Sequence, residues 1–225
     1  MELLRKTFDI KVMDYQFTKG AKYVKTPRIN NSEYENARMA TVNEIMHKEE
    51  VRCVKRAGIL FYTIMGGKIW FCFGRDERTG ELTDFGGGRK LKETSFECAI
   101  REANEESRYI FGEIKLPMIV DCRCLYNKNM LMVLCPIDYE ESLFEVTNER
   151  FDKCLCLKKN EKKRSCHYEM SSITWISIDD LFLHFDNSSS TVQGMKPIYS
   201  RVRQFLVSCK EFSSSKDILT YNLSY

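Results

Sequence analysis

Glu102, Glu105 and Glu106 are spaced to share one turn of an α-helix, shortly after the run Gly86-Gly87-Gly88 and the charged residues Glu93 and Arg101. At about 100° per residue their side chains leave the helix within roughly a third of its circumference, while Phe96, Ile100 and Ala103 gather on another face. Carboxylates held this close repel one another and lose hydration, so the group is stable mainly when Mg²⁺ or Mn²⁺ neutralises it. Ions bound there would also engage the oxygens of a diphosphate and lower the pKa of a bound water. These are the elements of phosphoanhydride hydrolysis.

The helix that carries the carboxylates is expected to start at Thr94, because Thr94 and Glu97 form a Thr-x-x-Glu capping box, and to run to Glu106–Arg108. The glycines then fall just before its onset. Alone they read as a flexible turn. They are not a P-loop, because no Gly-Lys-Ser/Thr follows, nor a dinucleotide fingerprint, whose third Gly is missing.

Gly87, Glu93, Arg101, Glu102, Glu105 and Glu106 fill the pattern G-x5-E-x7-R-E-U-x-E-E-x-G-U, where U is bulky and apolar. In this stretch the chain resembles a Nudix hydrolase. The resemblance implies an α/β fold, an α/β/α sandwich on a mixed β-sheet, and a Mg²⁺- or Mn²⁺-dependent pyrophosphohydrolase. The substrate implied is a nucleoside diphosphate linked to another moiety. The Gly86 carbonyl with Glu102, Glu105 and Glu106 corresponds to the family's metal ligands, and Gly87 and Glu93 support the loop, with Arg101 bracing it against the helix beside the reacting groups.

Two general bases stay open, Glu102 and Glu169. Glu169 precedes Trp175 in a stretch similar to the family's Glu, Trp and acidic-Leu segment, although a solvated glutamate before a strand reads the same way. Asp138, Glu140 and Glu141 are further alternatives. The chain departs from the pattern at Arg108 in place of Gly, Ala103 in place of a bulky residue, and Phe85 in place of Pro. Arg108 implies that the helix does not end on the usual left-handed glycine, so its exit is expected to differ.

Thr-Asp-Phe before the glycines, and Glu-Glu-Ser in place of Glu-Glu-x-Gly, are similar to Nudix proteins of large DNA viruses, some of which remove mRNA caps. Expected partners are therefore a nucleoside-diphosphate-type small molecule or capped RNA, the second with release of m7GDP. A non-catalytic nucleotide binder of the same fold is the reading from another class; the intact acidic group argues against it.

At 225 residues and 43% hydrophobic content the chain can bury one sizeable core. The expected organisation is an N-terminal extension over residues 1–51, a Nudix domain over 52–183 and a C-terminal helical tail over 184–225. No apolar run has the length of a membrane span, and Met-Glu-Leu-Leu-Arg-Lys has no signal-peptide core, which points to a soluble intracellular protein. Ten cysteines, several inside apolar runs, fit free thiols in a reducing compartment such as cytoplasm. Cys122/Cys124 and Cys154/Cys156, with Cys166 and His167, invite a zinc reading, but Cys-x-Cys is tighter than the usual knuckle spacing.

A net charge of +3 does not by itself indicate nucleic acid. The basic segment from Lys158 to Arg164 reads as a solvated loop or as one that steers an anionic substrate. Around the helix, a hairpin is expected from Ile59–Ile64 and Lys68–Gly74 about Gly66-Gly67, a strand pair from Met118–Leu125 and Met130–Pro136, and a strand over Ile173–Ile178. Helices are expected at Ser32–Glu50, from Asp179, and over Lys196–Cys209, with a strand at Phe8–Val12. Trp70 and Trp175 read as core at strand spacing, so no base-stacking residue is assigned.

Overall fold

A computed structural model describes residues 31–138, 143–158, 169–186 and 197–214. A 3-10 turn (Asn31–Tyr34) leads to β1 (Arg38–Thr41), the short helices α1 (Val42–Ile45) and α2 (Glu49–Arg52), and the long strands β2 (Arg56–Met65) and β3 (Lys68–Asp76). Then come β4 (Leu82–Thr83), β5 (Phe85–Gly88), α3 (Ser95–Glu106), α4 (Leu116–Ile119), β6 (Arg123–Tyr126) and β7 (Met130–Pro136). The remaining elements are α5 (Leu143–Lys158), β8 (Met170–Ser177), α6 (Ile178–Asp186), α7 (Ser200–Ser208) and α8 (Lys210–Ser214).

The strands form one mixed sheet in the order β1-β6-β7-β2-β3-β4, with β5 also on β2 and β8 also on β3. β2 and β7 run parallel; the other pairs are antiparallel. β2 is apolar almost throughout because it is covered on both faces. Its Ile59 and Phe61 join a core with Phe96, Ala99 and Ala103 of α3 and Phe151 of α5, while Leu60 and Tyr62 join a second core with Leu181 of α6, Phe205 of α7 and Phe212 of α8. The result is the expected three-layer α/β/α arrangement. Among the described residues no helix is long and apolar enough to cross a membrane.

The expected hairpin forms with Gly66 and Gly67 at φ 59° and 73°, the positive values that a primed two-residue turn needs. Three elements differ from expectation. Instead of one helix over Ser32–Glu50 there are a turn, a strand and two short helices: Asn36 takes φ 59°, which interrupts a helix, and Thr41 with Glu44 builds a capping box that starts α1 afresh. The strand expected from Met118 starts only at Arg123, because Pro117 suits the first turn of α4.

The third is α5, which stands in a segment for which the sequence suggests no helix. Among the residues whose burial is described, Leu143, Thr147 and Phe151, each four residues from the next, are buried, and the charged Glu149, Arg150, Asp152 and Lys153 interrupt the apolar residues of the segment. The expected strand at Phe8–Val12 and most of the basic segment Lys158–Arg164 lie outside the described residues.

Candidate active site

Helix α3 starts where the sequence places it. Thr94 Oγ1 accepts from Glu97 N at 3.2 Å and Glu97 Oε2 accepts from Thr94 N at 2.7 Å, so the capping box fixes the helical phase of every residue after it. That phase turns Glu102, Glu105 and Glu106 inward, where they are 7%, 6% and 4% exposed.

The three glycines form strand β5 rather than a turn, and close approach explains their type. Gly58 and Gly86 face each other across β2 and β5, and a Cβ on either would lie 2.6 Å from the other's Cα. A Cβ on Gly87 would fall 2.6 Å from Glu102 Oε1, so glycine there makes the room that the carboxylate occupies.

One guanidinium serves three carboxylates. Arg101 Nε and Nη2 donate to Glu93 at 2.5 and 3.0 Å, while Nη1 lies 2.7 Å from Glu102 Oε1 and 3.3 Å from Glu105 Oε2. Glu93 also accepts from Lys90 N at 3.0 Å. Deeper in, Arg56 grips the fully buried Asp84 through two bonds of 2.6 and 2.8 Å and donates to the Gly86 carbonyl at 3.0 Å. Glu106 carries a buried Oε2 with no hydrogen-bond partner among the described residues.

The electrostatics follow from these contacts. Burial, and then the neighbouring Glu102 charge, push the Glu106 carboxyl well above its usual range, with Arg56 only partly opposing. Burial also raises Glu102, against the pull of Arg101. Burial pushes Glu93 up as well, yet the Arg101 hydrogen bond and the Lys90 N–H outweigh it and leave Glu93 lowered. Glu169 is raised by burial and then by Glu102, so this later residue feels the helix carboxylates.

Glu106 therefore binds its proton more tightly in the folded chain than in the unfolded one. The stability this contributes is complete below the ordinary value of 4.5 and is lost as pH rises through the raised folded value. Glu93 has the opposite sign: its contribution is present above 4.5 and is lost as pH falls through the lowered folded value. With chelator present, we expect the melting temperature to fall between about pH 5 and pH 8, and Mg²⁺ to restore it most at the upper end. Thermal melts across that range check this. A melting temperature that climbs steadily with pH, or ignores Mg²⁺, would refute it.

A divalent cation suits this chemistry, since Glu102 and Glu105 share the Arg101 guanidinium with Glu93, and Glu106 keeps an unsatisfied buried oxygen that Arg56 only partly offsets. Among the described residues, however, no three His, Cys, Asp or Glu side chains are drawn together as a ready-made cage. Arg101 holds Glu102 and Glu105 instead. The Gly86 carbonyl, expected as a ligand, accepts from Arg56 and has a second lone pair left.

Of the other expected residues, Asp138 is exposed just beyond β7, and Glu140 and Glu141 lie outside the described residues. Cys122 and Cys124 donate to the carbonyls of Met118 and Ala40, while Cys166 and His167 also lie outside the described residues. Trp175 packs against the α3-side core and makes an edge contact with Phe144 of α5 at 5.1 Å.

The expected change of helix exit is corrected. Arg108 itself takes the left-handed conformation, φ 56°, and Tyr109 follows at φ 59°. Arg108 is 2% exposed, and its guanidinium donates to the carbonyls of Phe151 and Met170 at 3.0 and 2.5 Å, contacts that offset the strain of the turn. Sequence reasoning did not find this role, nor the Arg56–Asp84 pair. The only signal for the second was Asp84 standing directly before Phe85 and the glycines.

No family model and no curated protein matches the chain. Among solved structures it is similar to a C. elegans Ap4A hydrolase in a binary complex, at 20% identity over 57% of this chain and 84% of that chain, with TM-score 0.37. It is also similar to the Nudix hydrolase RenU from M. smegmatis, at 11% identity over 74% of this chain and 90% of that one, with TM-score 0.38. A third is the Bacillus subtilis pyrophosphohydrolase BsRppH, at 10% identity over 84% of this chain and 92% of that one, with TM-score 0.37. The identities are low and the TM-scores fall below one half, so the chemistry of the site rests on its own residues.

Proposed function

We propose that the chain is a Mg²⁺-dependent pyrophosphohydrolase of the Nudix type, which cleaves the diphosphate of a nucleoside diphosphate linked to another moiety. The observation that carries this reading is the buried group Glu102, Glu105 and Glu106, with an unsatisfied oxygen on Glu106, set beside the glycines of β5. Burying such charge is costly, and a fold gains nothing from it unless a cation and an anionic substrate meet there.

Glu102, Glu105 and Glu106, with the Gly86 carbonyl, would hold the cation, which when bound supplies charge neutralisation and a more acidic water. Arg101 keeps Glu102 and Glu105 on one side of α3 and anchors the 88–93 loop through Glu93 and the Gly88 carbonyl. We assign the proton acceptor to Glu169 rather than Glu102. Glu102 is engaged by Arg101 at 2.7 Å, whereas the Glu169 carboxylate has no hydrogen bond or ion pair among the described residues. Its raised pKa brings it closer to neutrality, where base strength and the fraction ionised are best balanced.

A panel of nucleotide sugars, dinucleoside polyphosphates, free nucleotides and m7G-capped RNA, each with Mg²⁺ or with chelator, tests the assignment. Turnover of at least one member that needs the cation is expected; no turnover by protein shown to be folded would overturn it. Release of m7GDP from capped RNA, with free nucleotides left intact, would identify the linked moiety as RNA.

A further inference from the structure

Arg108 lies two residues beyond Glu106 and touches both segments that flank the site. Its Nη2 donates to Met170 O at 2.5 Å at the start of β8, its Nη1 donates to Phe151 O at 3.0 Å in α5, and its guanidinium carbon lies 3.6 Å from the centre of the Phe151 ring. A buried arginine thus joins α3, α5 and β8. A glycine here would make the left-handed turn without strain but would leave both carbonyls without this donor.

Met170 directly follows Glu169, and several contacts fix it. The β3–β8 register shifts between Arg75 and Asp76, a bulge with Ser172 opposite Arg75 and Met170 opposite Asp76. In an unbroken strand Met170 and Ile173 would face opposite ways, yet both belong to the α3-side core, so the bulge has turned Met170 inward. Its thioether seats against Gly74, where a Cβ would lie 2.7 Å from Met170 Sδ. Glu77 N donates to the Glu169 carbonyl at 2.8 Å, and Ser171 Oγ donates to Arg75 O at 3.2 Å. Arg108 is the link from this bulge to α3.

We infer that Arg108 is a positioning residue: by holding the Met170 carbonyl it sets Glu169 against the carboxylates of α3. This rests on the reading of Glu169 as proton acceptor. The guanidinium makes a fixed, two-pronged connection to Met170 and Phe151, and a lysine can replace only part of it. The substitution of the motif's usual glycine by Arg108 therefore couples the helix exit to the strand that delivers the base.

Arg108→Gly, Arg108→Lys and Glu169→Gln, alone and combined, test this. Arg108→Gly is expected to lower kcat about tenfold or more with KM nearly unchanged, and Arg108→Lys to recover part of the loss. In the Glu169→Gln background Arg108→Gly should cost little more, because the group it positions is already gone. An equal loss in both backgrounds would overturn the inference. Amide hydrogen exchange on the same proteins gives a readout that does not need turnover. Residues 169–172 should exchange faster in Arg108→Gly while β2 and β3 stay protected; unchanged exchange there, or uniform loosening of the fold, would overturn the inference. Absence of turnover in the wild-type chain would count against the hydrolase assignment, and the exchange result would still decide whether Arg108 holds this strand.

Discussion

Glu106→Gln should abolish turnover and at the same time make the chelated protein harder to unfold. Glu106 is 4% exposed, its Oε2 has no partner among the described residues, and burial together with Glu102 opposes its ionisation. Glutamine keeps the size and removes the charge. With an oxygen of the proposed cation site lost, kcat is expected to fall by at least about a hundredfold, roughly 3 kcal/mol of transition-state stabilisation. With a buried charge removed, the variant at pH 8 in chelator should gain on the order of 1–2 kcal/mol, or about 2–4 °C in Tm per kcal/mol for a chain of this size. Wild-type rates would remove Glu106 from the site. A variant that is both slow and less stable would show a structural role instead.

Asp84→Ala is expected to be the most damaging single change to stability. Asp84 is fully buried, accepts two bonds from Arg56 at 2.6 and 2.8 Å and a third from Thr83 Oγ1 at 3.1 Å. Its removal strips the Arg56 guanidinium of its hydrogen-bonded counter-charge and leaves it facing the Gly86 carbonyl and the more weakly coupled Glu106. Breaking one side of such a pair costs about 3–5 kcal/mol, against a total stability of roughly 5–15 kcal/mol. Arg56→Met should cost a similar amount, and the double variant clearly less than the two together, because it leaves neither charge stranded. Urea unfolding of the four proteins measures this coupling; strictly additive losses would show that the pair does not act as a unit.

The pair was hidden from the sequence because Arg56 and Asp84 are brought together only by the β2–β5 pairing, and nothing local marks either as buried. Arg108 was visible as a departure from a motif, but its partners are supplied by α5 and β8, elements that lie far along the chain. By contrast, α3 was legible to the residue: the Thr94 capping box and the carboxylate spacing are local, and local signals survive folding unchanged. Helix α5 was not legible because its apolar residues, among them Leu143, Phe144, Val146, Phe151 and the run from Cys154 to Leu157, do not repeat at a clear helical spacing. The triple glycine pointed to the right place with the wrong conformation. Its composition suggests a turn, and only the approach of Gly58 and the Glu102 carboxylate shows why a strand there must lack side chains.

The parallel pairing of β2 with β7 closes a long loop. Arg56 pairs with Met130, so the whole of α3 lies inside the loop that this contact closes. Loop-closure entropy must be met before the two strands return any energy. We expect the acidic helix to remain hydrated until late in folding, with the repulsion among its carboxylates borne by the native state far more than by the folding barrier. Neutralising Glu106 should accordingly slow unfolding while leaving the refolding limb of a stopped-flow chevron near wild type, and a faster refolding limb would place α3 in the nucleus.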